Sequence, residues 1–146
     1  NVVSEISEPH STSAMRVANG VTVHGVIQSS REDDSYCASI PGGESIQLIM
    51  INVENTEALY NLLYSLAFSP STTFSNSVDV DEENILITAV PNEDGSITCL
   101  IFVYIDQLTS LRHRNIIISI GTEGSSIEYD IFFYSLTEED FNDIMS

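Results

Sequence analysis

Short apolar segments separated by turn residues constrain the fold of this 146-residue chain more than any other feature. The segments are rich in Ile, Val, Thr, Tyr and Phe, which favour strands because branched and aromatic side chains pack well on a pleated surface. Turn residues punctuate them, as in Pro41-Gly42-Gly43 and in the run from Asn92 to Gly95. We predict strands at residues 21–28, 35–40, 45–53, 84–90, 96–105, 115–120 and 126–135. Many short strands at this spacing indicate a β-sandwich or a barrel.

The fold class that we predict is all-β, a jelly-roll-like antiparallel β-sandwich with a short C-terminal helical tail. Two packed sheets of about seven to nine strands in total would enclose the core. The apolar residues that we expect in this core are Val21, Val23, Ile27, Tyr36, Ile40, Ile46, Leu48, Leu100, Phe102, Ile118 and Ile131. The polar residues 1–13 predict an N-terminal arm or linker, residues 14–136 the sandwich domain, and residues 137–146 an acidic helical tail capped by Thr137.

One segment fits two structures. Within residues 54–68, leucines recur at helical spacing after a possible cap at Asn55 or Thr56. The same residues also place Tyr60, Tyr64 and Phe68 on one face of a strand with period two. Periodicity alone does not decide between helix and strand. If it is a strand, packing of its aromatic face in the core is the first interpretation, and an exposed aromatic platform is the alternative.

The charge balance excludes several classes of partner. The chain carries 22 acidic residues against four basic ones, all arginines, for a net charge of -18. Nucleic-acid binders neutralise phosphates with Lys and Arg, and anionic membrane surfaces attract the same residues. We therefore expect neither nucleic acid nor a membrane as a partner. No apolar run approaches the ~18 residues that a membrane helix needs.

Cysteine and histidine offer little chemistry in this sequence. Cys37 and Cys99 both lie in predicted strands, where they would either pair or act as small buried apolar residues. His10, His24 and His113 have no metal-ligand spacing, and the chain has no Gly-x-Ser-x-Gly nucleophile motif. We predict that the protein is not an enzyme; a small secreted hydrolase is the least favoured alternative.

An ordered series of motifs occupies residues 8–50. An acidic entry at Glu8 and a following Ala14 precede the strand Gly25-Val26-Ile27. The acidic turn Asp33-Asp34-Ser35-Tyr36 then leads into a strand that ends at Ile40-Pro41-Gly42-Gly43. This series resembles the bacterial pre-peptidase C-terminal (PPC) domain, a jelly-roll-like β-sandwich appended to secreted proteases and other exported enzymes. The collagen-binding domains of clostridial collagenases are relatives of that family, and the resemblance extends over residues 8–135.

The resemblance implies a function and a metal site. It implies a non-catalytic accessory or binding module of a secreted bacterial protein, extracellular or at the cell surface. Its partner would be a covalently linked catalytic domain, an extracellular polysaccharide or a protein. A self-standing, adhesin-like binding module is the alternative.

The metal implied by the resemblance is calcium. In the calcium-binding relatives, N-terminal carboxylates and the acidic turn hold the ion, which implies Glu8, Asp33 and Asp34 as ligands here. His10 and Ser11 stand where the family often has Asn and Asp, so two oxygen donors are replaced. A solvated acidic turn without metal is the alternative interpretation of the same carboxylates. Asp79, Asp81 and Glu83 also share one face of an acidic run, where an edge strand protected by charge is the favoured interpretation and a cation site is the alternative.

Overall fold

Two β-sheets face each other in the computed structural model, which describes residues 2–4 and 13–146. The strand order in the first sheet is β1 (Val2–Ser4), β3 (Thr22–Ile27), β11 (Ile127–Leu136), β5 (Ser45–Val53), β9 (Ile97–Ile105) and β8 (Ile85–Pro91). The order in the second sheet is β2 (Met15–Arg16), β4 (Asp34–Ser39), β10 (Asn115–Thr122), β6 (Leu62–Ser69) and β7 (Val78–Asp79). The β1–β3 and β2–β4 pairs are parallel, and the other pairs are antiparallel.

The predicted all-β sandwich is therefore confirmed, with more strands than expected. The described residues form eleven strands. The additional strands include β1, β2 and β7, which have only two or three residues each. Strands this short carry too little periodicity to be predicted from sequence. Strand β1 falls within the predicted N-terminal arm and pairs with β3. The predicted division into arm, sandwich and tail stays a prediction.

Alternation along β11 shows how the sequence forms the sandwich. Ile127, Tyr129, Ile131 and Phe133 point between the sheets and are buried, while the residues between them are partly or fully exposed. This period of two is what a strand with one buried face requires. Most of the predicted core residues lie in the cluster between the sheets or pack against it. Those residues are Val21, Val23, Ile27, Tyr36, Ile40, Ile118 and Ile131.

The other predicted core residues lie elsewhere, which corrects the predicted core. Ile46, Leu48 and Phe102 form a separate cluster on the outer face of the first sheet, and Leu100 packs against it. Strands β5 and β9 are apolar on both faces, so their sequence does not show which face points inward. The outer cluster is covered in part by Phe141, whose ring meets Phe102 edge to face with centroids 5.2 Å apart.

Residues 13–146 also contain four short helical segments: α1 (Thr56–Asn61), a 3-10 helix (Glu82–Asn84), α2 (Gln107–Arg112) and α3 (Glu138–Met145). The ambiguous segment at 54–68 contains both structures, since α1 ends where β6 begins. The side chain of Asn55 caps α1 by accepting a hydrogen bond from the Ala58 amide at 2.8 Å. The predicted C-terminal helix is confirmed as α3, with Thr137 as its N-cap. None of the described helices has the length and apolar character needed to cross a membrane.

The two cysteines are free thiols. Cys37 belongs to β4 and Cys99 to β9, in opposite sheets, and both are buried. Burial raises the pKa of both thiols, because the charged thiolate is disfavoured away from water. They therefore serve as small buried residues rather than as a disulfide bridge.

Candidate functional site

The carboxylates implied as calcium ligands lie in different environments. Asp33 is exposed in the loop before β4, whereas Asp34 is the first residue of β4 and is buried. Glu8 lies outside the described residues. An oxygen of Asp34 accepts a hydrogen bond of 2.6 Å from the Tyr129 hydroxyl. Asp34 therefore interacts with the interior of the sandwich, in addition to any role at its surface.

Asp34 belongs to a polar contact that joins the two sheets. Tyr129 lies in β11 of the first sheet, and its hydroxyl also contacts the hydroxyl of Tyr36 in β4 of the second. The two rings meet edge to face, with centroids 6.2 Å apart. Burial raises the pKa of Tyr129 far above its usual range, and the neighbouring Tyr36 and Asp34 raise it further. Tyr129 therefore stays a neutral donor to the carboxylate.

The exposed carboxylate of Asp33 lies close against the neighbouring strand β10. A Cβ atom at Gly121 would come within 2.5 Å of the Asp33 Oδ1 atom. A side chain at position 121 would therefore displace the exposed Asp33 carboxylate from this position. Within residues 2–4 and 13–146, no three His, Cys, Asp or Glu side chains are arranged to hold a metal ion. The calcium set of Glu8, Asp33 and Asp34 stays a prediction.

The outer face of the first sheet carries a second group of candidate residues. Phe132 and Tyr134 are next-but-one neighbours on β11, so their side chains stand on the same face. Their rings are nearly parallel, with an interplanar angle of 7° and centroids 6.2 Å apart. Tyr134 is 43% exposed, and Phe132 is partly exposed. Sequence reasoning missed this pair, although Glu128 and Asp130 on the same face of β11 mark that face as the one turned toward solvent.

An open cleft of about 290 Å³ lies beside Phe132 on the same face. Its lining alternates apolar and polar groups from four adjacent strands. The lining residues are Thr22, Met50, Asn52, Thr98, Asp130 and Phe132. The register between neighbouring strands brings these side chains together, since Asn52 lies opposite both Asp130 and Thr98. An aromatic surface next to amide and hydroxyl groups offers a ligand both apolar contact and hydrogen bonds.

His24 borders this face between two carboxylates. Its Nδ1 atom lies 2.8 Å from Asp130 Oδ1, and its Nε2 atom lies 3.0 Å from Glu128 Oε1. Its hydrogen bond with Asp130 raises the pKa of His24 above the ordinary value, although partial burial opposes this effect. The two neighbouring negative charges raise it further.

We expect the imidazole of His24 to titrate above its ordinary pKa of about 6.5 in the folded protein. Because folding raises this pKa, the associated stability is complete below pH 6.5 and is lost as the pH rises through the folded value. The contribution is below about 1 kcal/mol, since the side chains are solvent-exposed. NMR titration of the ring protons measures the pKa, and Asp130→Asn should lower it. The control Asp79→Asn should leave it unchanged, and an unshifted His24 in the unmodified protein would contradict the assignment.

The two tyrosines at 60 and 64 do not pack in the core, which corrects that interpretation. Tyr60 lies in α1 and is 78% exposed, whereas Tyr64 lies in β6 and is 40% exposed. They do not form one strand face, because the helix ends between them. The aromatic pair on a common strand face is Phe132 and Tyr134 instead.

Comparison with known proteins gives a likeness of structure but none of sequence. No protein-family model and no curated protein matches the sequence. A similar solved structure is the pre-peptidase C-terminal domain of collagenase from Bacillus anthracis. It has 14% sequence identity and a TM-score of 0.46, and the match covers 86% of this chain and 99% of that domain. This neighbour is a PPC domain, the same family that the motifs of residues 8–50 resemble.

Proposed function

We propose that this β-sandwich is a non-catalytic binding module and that the outer face of its first sheet is the binding surface. The observation that carries the proposal is the parallel Phe132–Tyr134 pair beside the cleft lined by Thr22 and Asn52. The ligand is an extracellular polysaccharide or protein. Ring faces supply apolar contact, and the hydroxyl and amide groups supply orientation.

The charges on this surface narrow the ligand further. Asp130 lines the cleft, Glu128 lies on the same face of β11, and the whole chain carries a net charge of -18. An acidic polysaccharide would be repelled by this field. The ligand that fits is therefore a neutral polysaccharide or a protein with a neutral or basic surface.

The setting in which the module acts is part of the proposal. The motifs of residues 8–50 support an accessory domain of a secreted bacterial protein, where the module would hold a linked catalytic domain near its substrate. A self-standing extracellular adhesin is the alternative. Expression of the complete gene with a tag, followed by fractionation of cells and medium, distinguishes these settings by the size and location of the product.

Co-sedimentation with insoluble chitin, cellulose and fibrillar collagen tests the binding surface. We expect one of these solids to retain the protein, and Tyr134→Ala to reduce retention about tenfold, because an aromatic contact of this kind contributes about 1.4 kcal/mol. The control is Tyr60→Ala, which removes a more exposed tyrosine, 78% against 43%, from α1. Equal loss in both variants, or no retention on any of the three solids, would refute the proposal.

Thermal melting tests the calcium site separately. If Glu8, Asp33 and Asp34 bind calcium, millimolar calcium raises the melting temperature, because a ligand bound by the native state alone stabilises that state. Asp33→Ala removes an exposed carboxylate and should abolish the rise, while Asp79→Ala serves as the control. Identical melting curves in calcium and in chelator would show that these carboxylates form a solvated turn.

A further inference from the structure

Strand β8 is the one long edge strand among the described residues. The other strands at the edges of the two sheets, β1, β2 and β7, have two or three residues each, whereas β8 has seven. An edge strand presents unpaired backbone groups to any extended chain that approaches it. Very short edge strands offer few such groups, so an added strand would form the most backbone hydrogen bonds at β8.

The hydrogen-bond register identifies the backbone groups at the open edge of β8. Asn92 donates to Ser96 at 2.8 Å in the hairpin that joins β8 to β9. Alternate residues of an antiparallel strand direct their backbone N–H and C=O groups to the same side. Leu86, Thr88 and Val90 therefore direct these groups toward β9, as Asn92 does. Ile87 and Ala89 therefore direct their N–H and C=O groups away from β9. No strand of the described part of the chain lies on that side of β8.

Two further backbone features agree with this register. The amide of Ile85 turns back to the Glu82 carbonyl instead of pairing with β9. Pro91 has no N–H and has the same parity as Ile87 and Ala89. Proline is tolerated in a strand where its nitrogen faces an open edge.

The side chains of β8 are apolar, except for Thr88, and most are accessible. Leu86, Ile87 and Val90 are 44%, 42% and 43% exposed, and the strand contains no charged residue. Natural edges are normally protected by inward charges, lysines, bulges or prolines within the strand. Here the sole proline stands at the strand's last position, so the centre of the edge is open.

Acidic residues bracket both ends of this apolar edge. Asp81, Glu82 and Glu83 precede it, Glu93 and Asp94 follow it, and all five are exposed. An antiparallel second copy centred on Thr88 would bring the carboxylates that precede β8 in one copy toward those that follow β8 in the other. Like charges held close together repel each other. The edge therefore disfavours self-pairing and suits a strand with the opposite charge at its ends.

We propose that β8 accepts an extended segment of another protein as an added strand, and that this segment has an apolar centre flanked by basic residues. Main-chain hydrogen bonds to Ile87 and Ala89 would hold it in register. Contacts with Leu86, Ile87 and Val90 would select apolar side chains. The carboxylates at the two ends would select lysine or arginine and accelerate association at low salt.

A fluorescent peptide of sequence Arg-Lys-Val-Thr-Val-Thr-Val-Lys-Arg tests the proposal by anisotropy with the full chain. We expect saturable binding that weakens as salt is raised, because screening reduces the end contacts. Ala89→Pro removes an edge N–H and blocks approach while leaving the β8–β9 bonds in place, so affinity should fall at least about tenfold. The matched variant Ala89→Val keeps the N–H and should bind within about twofold of the original. Circular dichroism and thermal melting verify that both variants fold.

Two control peptides, together with sedimentation of the free protein, distinguish the proposal from its alternatives. A peptide with alternate backbone N-methyl groups should not bind, and one with glutamates at its ends should bind at least about tenfold more weakly. Equal binding of the N-methylated peptide, full binding by Ala89→Pro, or no binding of the basic peptide would overturn the proposal. Self-association of the free protein that Ala89→Pro abolishes would also overturn it, by identifying a second copy as the occupant.

Discussion

Replacing Phe133 by alanine should lower the free energy of unfolding by about 4 kcal/mol, because it leaves a large cavity between the two sheets. Phe133 is fully buried in β11, inside the cluster that both sheets share. For a domain of this size the melting temperature should fall by roughly 12 °C. Urea unfolding followed by circular dichroism measures both stability and cooperativity.

The neighbouring phenylalanine provides the matched control for this experiment. Phe132→Ala makes the same chemical change one residue away, but on the outer face of the sheet, where the ring is partly exposed. We expect a cost of about 1 kcal/mol there. Similar losses for Phe132→Ala and Phe133→Ala would contradict the assignment of the two faces of β11.

Tyr129→Phe should destabilise the protein by about 2 kcal/mol, because it removes the hydroxyl that donates to a buried carboxylate. Asp34 would lose this donor while remaining buried, and Tyr36 would lose its hydroxyl contact. Tyr134→Phe is the control, since it removes the same atom from an exposed ring of the same strand. It should change stability by less than about 0.5 kcal/mol. Equal stability of both variants would show that the contact between the sheets contributes nothing.

The raised pKa of Tyr129 also makes the free energy of unfolding depend on pH in the alkaline range. Because folding raises the pKa of Tyr129, the folded protein keeps this proton when the unfolded chain releases it near pH 10. The associated stability is complete below about pH 10 and is lost as the pH rises further. Denaturant unfolding between pH 8 and pH 11 should therefore show a smaller decline in Tyr129→Phe than in the unmodified protein. Parallel declines in the two proteins would contradict the raised pKa.

Sequence reasoning predicted the long strands and the C-terminal helix but not which face of each strand is buried. Strand β11 alternates clearly, because one of its faces carries Glu128 and Asp130. Strands β5 and β9 are apolar on both faces, since α3 packs on the side away from the main core. Ile46 and Phe102 therefore looked like core residues of the sandwich, although they lie beneath α3. The periodicity of a strand does not show which of its faces a helix distant in sequence will cover.

The candidate sites were predictable to different degrees. Asp33 and Asp34 were found because they form an acidic turn, but their opposite environments depend on contacts with Gly121 and Tyr129. These contacts arise from strands more than 80 residues away. Phe132 and the cleft residue Asn52 were not identified, because a surface assembled across four strands has no signature within any one of them.

The Asp34–Tyr129–Tyr36 contact also limits how the two sheets slide over each other. Apolar side chains tolerate small lateral shifts, because dispersion contacts have little directional preference. A hydrogen bond weakens steeply when its distance or angle changes. The carboxylate of β4 and the phenol of β11 therefore act as a latch that sets one alignment of the sandwich. Sliding one sheet over the other would lengthen or bend this hydrogen bond, so the latch opposes a displacement that the apolar contacts alone would resist less.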